Sequence, residues 1–233
     1  MLGVTILITA ADSALGRALC DRLAVTHRVH SAAWAEPLEA DAATDRLVSG
    51  VEALVHLAPI HAAQEIDADT LVDYATRRSY NLLQALAAAG PKRVVYVSTL
   101  RLFEDYPPHF AVTENWRSRP ASDQPGVLAS HLGEFVVKEF ARDALIEAIA
   151  LRIGFPLVAG GRAGMSDASG AATALEDAVD GVERALRAGL RQWQTVHLQS
   201  PVPSARFLMQ RAARLLGFPD GDVPTEPPRL SGS

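Results

Sequence analysis

The stretch Asn81–Phe103, NLLQALAAAGPKRVVYVSTLRLF, holds a helix end, a stop and a strand in quick succession. Leu82, Leu83 and Leu86 recur at helical spacing and close a helix running from Thr70 to Ala89. Gly90-Pro91 stops it, because glycine accepts the left-handed turn after a last helical residue and proline cannot continue the ladder. Arg93–Ser98 then runs as an apolar, β-branched strand of the kind covered on both faces. A long helix delivering a buried strand is the repeating unit of a parallel sheet.

The rest of the chain repeats that unit. Val4–Thr9 reads as a first buried strand, followed by a helix over Ala14–Ala24 with Asp12 and Ser13 as its start signal. Arg28–Ala33 is a weak second strand and Ala53–Leu57 a third. After the fourth strand come a helix over Val127–Asp143 and a fifth strand over Ala148–Ile153. Past Gly154 a Gly/Ala/Ser-rich loop, Ala159–Ala172, leads to a helix (Glu176–Leu190), a strand (Thr195–Gln199) and a helix (Ser204–Leu216). The alternation predicts a doubly wound parallel α/β sheet with helices on both faces. Residues 1–218 are expected to form one Rossmann-like domain, with 154–218 contributing a smaller substrate-side portion and 219–233 a flexible tail.

Composition narrows the class. With 48% hydrophobic residues the chain is not a disordered one. A net charge of −5 and a pI near 5.8 argue against a nucleic-acid surface, which needs a positive patch. No apolar run reaches membrane-spanning length, and the first residues enter a strand pattern without a signal-peptide pattern. The lone Cys20 shares a helical face with Leu15, Leu19 and Leu23, which reads as a buried thiol. A reducing cytoplasm is the expected compartment. The histidines show no metal-ligand spacing, so no metal site is expected.

The first turn, TAADSALG over Thr9–Gly16, joins strand to helix where dinucleotide folds carry glycines. LVHLAP over Leu54–Pro59, EADAATDRL over Glu39–Leu47, FAVTENWRSRP over Phe110–Pro120 and LRIGFPLVAG over Leu151–Gly160 follow in order. With Asn81–Phe103, these segments make the chain resemble, from about residue 4 to 217, the extended short-chain dehydrogenase/reductase family. That family contains the NAD-dependent epimerases and dehydratases. The resemblance implies a nucleotide crevice touched by Ala10, Asp12, Ser13, Ala14 and Leu15 of the first turn. It adds Asp41 and Ala42 at the adenine, and Leu57, Ala58, Pro59 and Ser98 along the cofactor edge.

Several departures from the family pattern bear on function. Ala10, Ser13 and Gly16 fall on the three glycines, so only the packing glycine is kept. Ala10 fits the turn if its φ is negative. Ser13 brings a side chain to the phosphate space, and Asp12 brings a carboxylate that can cap the helix itself. Neither an acid nor a base ends the second strand, where His30-Ser31-Ala32-Ala33-Trp34 stands; Glu36 lies beyond it. The family's Tyr-x-x-x-Lys, just before a Glu, falls on PGVLASHLGEFVVKEF, residues 125–140. The frame used here puts Val127 at the Tyr, His131 at the Lys and Glu134 at the Glu. Val127 has no titratable proton.

Thr99 is the retained catalytic candidate, reading equally as a substrate hydrogen-bonding group or as a β-branched strand end satisfying its own backbone. His131 reads as a general base or as a hydrogen-bonded histidine on an apolar helix. Tyr106 and His109 follow Thr99 in a loop that can overhang the crevice.

Three functions fit this pattern. The first is a non-catalytic or regulatory ligand-binding protein with a weakened or absent NAD or NADP site and an unidentified small-molecule ligand. The second is a working NAD(P)-dependent epimerase, dehydratase or reductase using Thr99 with His131 or a loop residue. The third is a structural subunit binding another chain. The apolar surfaces of Thr70–Ala89 and Val127–Asp143 further predict a homodimer through these helices.

Overall fold

A computed structural model describes residues 3–62, 66–90, 92–160, 171–190, 192–201 and 206–219. Its first half alternates β1 (Thr5–Ile8), α1 (Ala14–Leu23), β2 (Arg28–Ser31), α2 (Ala42–Val48) and β3 (Ala53–Leu57). Next come α3 (Ala68–Asp73), a π-turn (Tyr74–Arg78), α4 (Ser79–Ala88), β4 (Lys92–Thr99) and α5 (Pro125–Arg142). The remainder is β5 (Ile146–Ile153), the short pair β6 (Leu157–Val158) and β7 (Thr173–Ala174), then α6 (Leu175–Arg187), β8 (Trp193–Leu198) and α7 (Gln210–Leu216). All pairings in the main sheet are parallel, in the order β2-β1-β3-β4-β5-β8. This is the doubly wound α/β architecture that the alternation predicts.

The layers follow from burial. Every residue of β3 is buried, as is β4 from Val94 to Thr99. Both strands therefore need cover on two sides. Helix α5 packs on β4 and β5 from one face and α6 on the same strands from the other; α1 lies beside α6, and α3 and α4 beside α5. Among the described residues no helix is long and apolar enough to cross a membrane.

Three boundaries differ from expectation. The second strand ends at Ser31 rather than Ala33, because the Ala32 carbonyl accepts the Ala11 N–H (3.0 Å) and turns the chain toward the first loop. Helix α2 was not anticipated; Asp41 starts it, accepting from the N–H groups of Ala43 and Thr44 at 2.9 and 3.0 Å. The long helix expected over Thr70–Ala89 begins earlier and is interrupted by the π-turn. The tail expected over 219–233 lies, Pro219 apart, outside the described residues, as do residues 161–170 of the Gly-rich loop.

Much of the apolar surface assigned to an interface is core. Tyr74, Leu82, Leu83, Leu86, Val127 and Phe140 are all buried within the chain. Tyr80 and Phe135 remain half exposed, with Leu128, Leu132 and Val136 partly so. We propose that this residual strip on α4 and α5 meets its twin in a symmetric homodimer burying more than about 1,000 Å². Sedimentation at micromolar concentration should show a dimer, and the double change Tyr80→Glu with Phe135→Glu should shift it to monomer. A wild-type monomer would refute the contact.

Candidate functional site

The first turn keeps the dinucleotide-fold backbone with Gly16 as the one retained glycine. Ala10 sits at φ +47°, fully buried, contrary to the negative φ that its sequence required. A left-handed alanine costs on the order of 1–2 kcal/mol, so the surrounding contacts impose it. Gly16 explains part of that: a Cβ there would stand 2.3 Å from the Ala10 carbonyl oxygen. The cap of α1 is Ser13, not Asp12; the Ser13 hydroxyl accepts the Gly16 N–H at 2.9 Å and is buried. The Asp12 carboxylate reaches instead across the crevice, accepting the Trp34 N–H at 2.7 Å. Arg17 folds back onto the Asp12 carbonyl.

Asp12 is thus the acid that stands at the end of β2. Trp34 itself is buried and stacks on Tyr74, ring centroids 4.0 Å apart. Among the described residues no strand lies beyond β2; Ala32–Ala40 runs irregularly into α2, and Asp41 spends one carboxylate oxygen on its cap. Leu57, Ala58 and Pro59 are buried at the end of β3, and Ser98 at the end of β4. Ala14 and Ala42 are exposed, while Leu15 is buried yet reaches the crevice wall. The open part of the crevice is a cavity of about 270 Å³ bounded by Leu15, Arg17, Ile60, His61, Phe155 and Leu157. Ala14 lines it as well, so two residues expected from the first turn, Ala14 and Leu15, stand at this cavity, and the others were not anticipated. His61 follows Pro59 closely enough to have been found from the strand-end position; its Nε2–H donates to the Ser98 carbonyl at 3.2 Å.

Rotation of α5 decides which residues meet this crevice. Tyr96 of β4 donates its hydroxyl to the Ser130 carbonyl at 3.0 Å, beneath Gly133. A Cβ on Gly133 would lie 2.1 Å from that hydroxyl, so the glycine permits the approach. The helix is thereby turned so that Gly126 and Ser130 face Ile60. The Ser130 hydroxyl accepts the Ile60 N–H at 3.3 Å, and a Cβ on Gly126 would meet the Ile60 side chain at 3.4 Å. Val127, one position later, packs among Leu100, Leu102, Phe103, Val112 and Phe207. His131 turns to a second pocket, its Nδ1 3.3 Å from the Ser118 hydroxyl and its ring edge-on to Phe135. Positions 126 and 130, one residue before the frame read from the sequence, therefore hold the i, i+4 spacing against Ile60, which bounds the crevice.

Thr99 caps the short 3-10 turn Leu100–Phe103, accepting the Arg101 N–H at 3.2 Å. No hydrogen bond joins it to His131. Tyr106 donates to the Arg117 carbonyl at 2.8 Å, and His109 packs edge-on to Phe110. Among the described residues no group of three or more His, Cys, Asp or Glu side chains is placed to hold a metal.

Comparison with known proteins agrees with this geometry. A family model described as the NAD dependent epimerase/dehydratase family matches residues 6–193. The chain belongs to that family. Comparison with curated proteins yields no match. Among solved structures, a short-chain dehydrogenase/reductase superfamily protein from Agrobacterium tumefaciens with bound NAD is 18% identical. It matches at a TM-score of 0.75 over 94% of this chain and 93% of the other. Uronate dehydrogenase from Agrobacterium tumefaciens is 21% identical (TM-score 0.74, 98% and 93% covered). UDP-glucuronic acid 4-epimerase from Bacillus cereus, in complex with NAD, is 15% identical (TM-score 0.74, 94% of each chain). At these identities the likeness concerns the fold.

The epimerase/dehydratase crevice of this chain matches a dinucleotide in part. The left-handed turn, the packing Gly16 and the α1 N-terminus are present at the pyrophosphate end. Asp12, next to that N-terminus, already accepts the Trp34 N–H beyond β2. Beneath both ends runs a buried hydrogen-bond chain. Thr9 Oγ1 accepts from the Tyr74 hydroxyl (3.0 Å) and the Leu57 N–H (3.1 Å), so its own proton goes to His56 Nδ1 (2.8 Å). His56 Nε2–H then donates to Ser79 Oγ (2.7 Å), which donates to the Tyr74 carbonyl (2.8 Å).

This chain fixes His56 as neutral, and burial pushes its pKa down to about 3; burial also lowers His61 to about 4. An unfolded histidine titrates near 6.5. The unfolded chain therefore binds more protons below that value. The stability these groups confer is complete above about pH 6.5 and is lost as pH falls toward 3, with a limiting slope of about 1.4 kcal/mol per pH unit for His56 alone. Urea denaturation should show falling stability from about pH 6.5 to 5, before most carboxylates titrate. A flat profile there would contradict the assignment.

Proposed function

We propose that this chain is a non-catalytic, ligand-binding member of the NAD dependent epimerase/dehydratase family, acting in the cytoplasm with a weakened NAD(P) site. The observation that carries the reading is the side of α5 packed against Ile60 at the crevice wall, which offers Gly126 and a buried Ser130. Hydride chemistry at a carbinol or carbonyl carbon needs a proton donor or acceptor within reach and with a pKa near the working pH. His61 is tuned far below that range and its Nε2–H is committed to Ser98. His131 is held below the usual histidine range by burial and lies on another face of the helix. Val127 is sealed in an apolar cluster.

Cofactor affinity is lowered by three residues acting together. Ser13 occupies one N–H of the helix N-terminus, Asp12 adds negative charge where phosphates would bind, and Ala10 holds the turn with a methyl group in place. NAD and NADP are the dinucleotides that neighbouring folds make relevant, and the α1 N-terminus with Arg17 is where their phosphates would be held.

Calorimetry with NAD⁺ and NADP⁺ should find no binding at micromolar concentration or tighter. The combined change Ala10→Gly, Asp12→Asn and Ser13→Gly should raise affinity about tenfold, roughly 1.4 kcal/mol. Micromolar binding by the unaltered chain would overturn the weakened site.

Assays with glucuronic acid and UDP-glucuronic acid, named for the neighbouring structures, should show no turnover with either dinucleotide. Turnover that disappears in a folded His131→Ala variant would establish the catalytic alternative instead.

A further inference from the structure

The segment that follows β2 is tied down from two sides. Toward the first turn, the Ala32 carbonyl accepts the Ala11 N–H and the Trp34 N–H goes to Asp12. Toward the π-turn and α4, Arg78 reaches the Glu36 carbonyl at 3.4 Å and Asn81 the Leu38 carbonyl at 3.1 Å, while Arg77 pairs with Glu39. The segment is therefore a strap between these two parts of the fold. Leu38 is buried in it at φ +49°, a conformation leucine seldom takes unless its surroundings impose it. What the strap seats is Trp34. Its side chain belongs to the main core, is only 5% exposed, and lies stacked on Tyr74.

In dinucleotide folds the ligand lies beyond the carboxyl ends of the strands. The pyrophosphate meets the first helix N-terminus, and the adenosine ribose meets the end of the second strand. Here β2 ends at Ser31, and Tyr74, under the indole, is bonded to Thr9 just past β1. Trp34 thus stands over the ends of β1 and β2, on the adenosine side. The open cavity of about 270 Å³ lies elsewhere. It runs from Ala14 and Arg17 of α1 to His61 beyond β3 and Phe155 beyond β5, and none of residues 32–42 lines it.

We propose that Trp34 occupies the nucleobase half of the crevice and is the residue that excludes adenine dinucleotides from this chain. An indole is a fused aromatic bicycle of purine shape, and its stacking on Tyr74 is the contact a base would make. The proposal rests on the weakened dinucleotide site and adds a steric cause to the charge and turn geometry at residues 10–13. The crevice ligand of this chain is confined to the part between α1 and Phe155.

Adenosine carries the base and ribose without phosphates, so the electrostatics of the first turn do not decide its binding. Adenosine, indole and NAD⁺, titrated separately into the full chain and its Trp34→Ala variant, test the assignment by calorimetry and thermal denaturation. A hole left by a deleted side chain accepts a ligand of matching shape. The unaltered chain should show no saturable adenosine binding. Trp34→Ala should bind adenosine saturably at millimolar concentration, be stabilised against heat by it, and gain at least about tenfold in NAD⁺ affinity. Phe103→Ala, which opens the second apolar cluster instead, should gain neither. Saturable adenosine binding by the unaltered chain would overturn the proposal. So would a folded Trp34→Ala variant that indole stabilises and adenosine does not, since Trp34 would then be core filling alone. Should Trp34→Ala not fold, Trp34→Leu keeps an apolar anchor and carries the same expectation for adenosine. Micromolar NAD⁺ binding by the unaltered chain sinks the weakened site itself, whereas a folded variant that gains nothing sinks the role of Trp34 alone.

Discussion

The buried chain Tyr74–Thr9–His56–Ser79 is the constraint on which the upper edge of the sheet depends. It joins the end of β1, the middle of β3 and the helix that covers them through side chains with no access to water. Its closure requires the Tyr74 carbonyl to receive both the Ser79 hydroxyl and the Ser79 N–H five residues on. An α-helical turn would give that carbonyl a partner four residues on, so the helix widens to a π-turn there. The turn sets where Tyr74 stands, and Tyr74 in turn supplies the surface on which Trp34 stacks. Geometry at the far end of the crevice is thus inherited from a proton order fixed in the core.

A second constraint acts through Tyr96. Because Gly133 has no side chain, Tyr96 reaches the backbone of α5 and locks its rotation. That rotation sends Gly126 and Ser130 to the crevice, Val127 to an apolar cluster, and His131 to the pocket over β8. The same helix contributes Glu134, whose two oxygens hold Arg152 at 2.9 and 2.7 Å. A buried ion pair of this kind is weak evidence of stability but strong evidence of fixed orientation.

The first turn shows how a backbone outlasts its sequence motif. Ala10 takes the left-handed conformation that glycine would adopt more cheaply, since Gly16 packs against its carbonyl and the Ala11 N–H is tied to Ala32. Ser13 and Asp12 divide the electrostatic work at the helix start: the hydroxyl caps α1, and the carboxylate bridges to β2.

The sequence by itself determined the architecture. Hydrophobic period and punctuation are local properties, so the alternation of strand and helix, the bounds Ala53–Leu57 and the stop at Gly90 were all readable. The family was readable too, because ordered segments survive even where single motif residues do not. What only the tertiary structure decided were directions. Whether Asp12 or Ser13 caps α1 depends on the distance to Trp34, and that Asp41 caps a helix shows only in its bonds to the Ala43 and Thr44 N–H groups. Which face of α5 meets Ile60 is set from outside the helix, because Tyr96 of β4 reaches its backbone beside Gly133. The stacking of Trp34 on Tyr74 joins the segment after β2 to the π-turn, and no spacing along the chain encodes a contact between them.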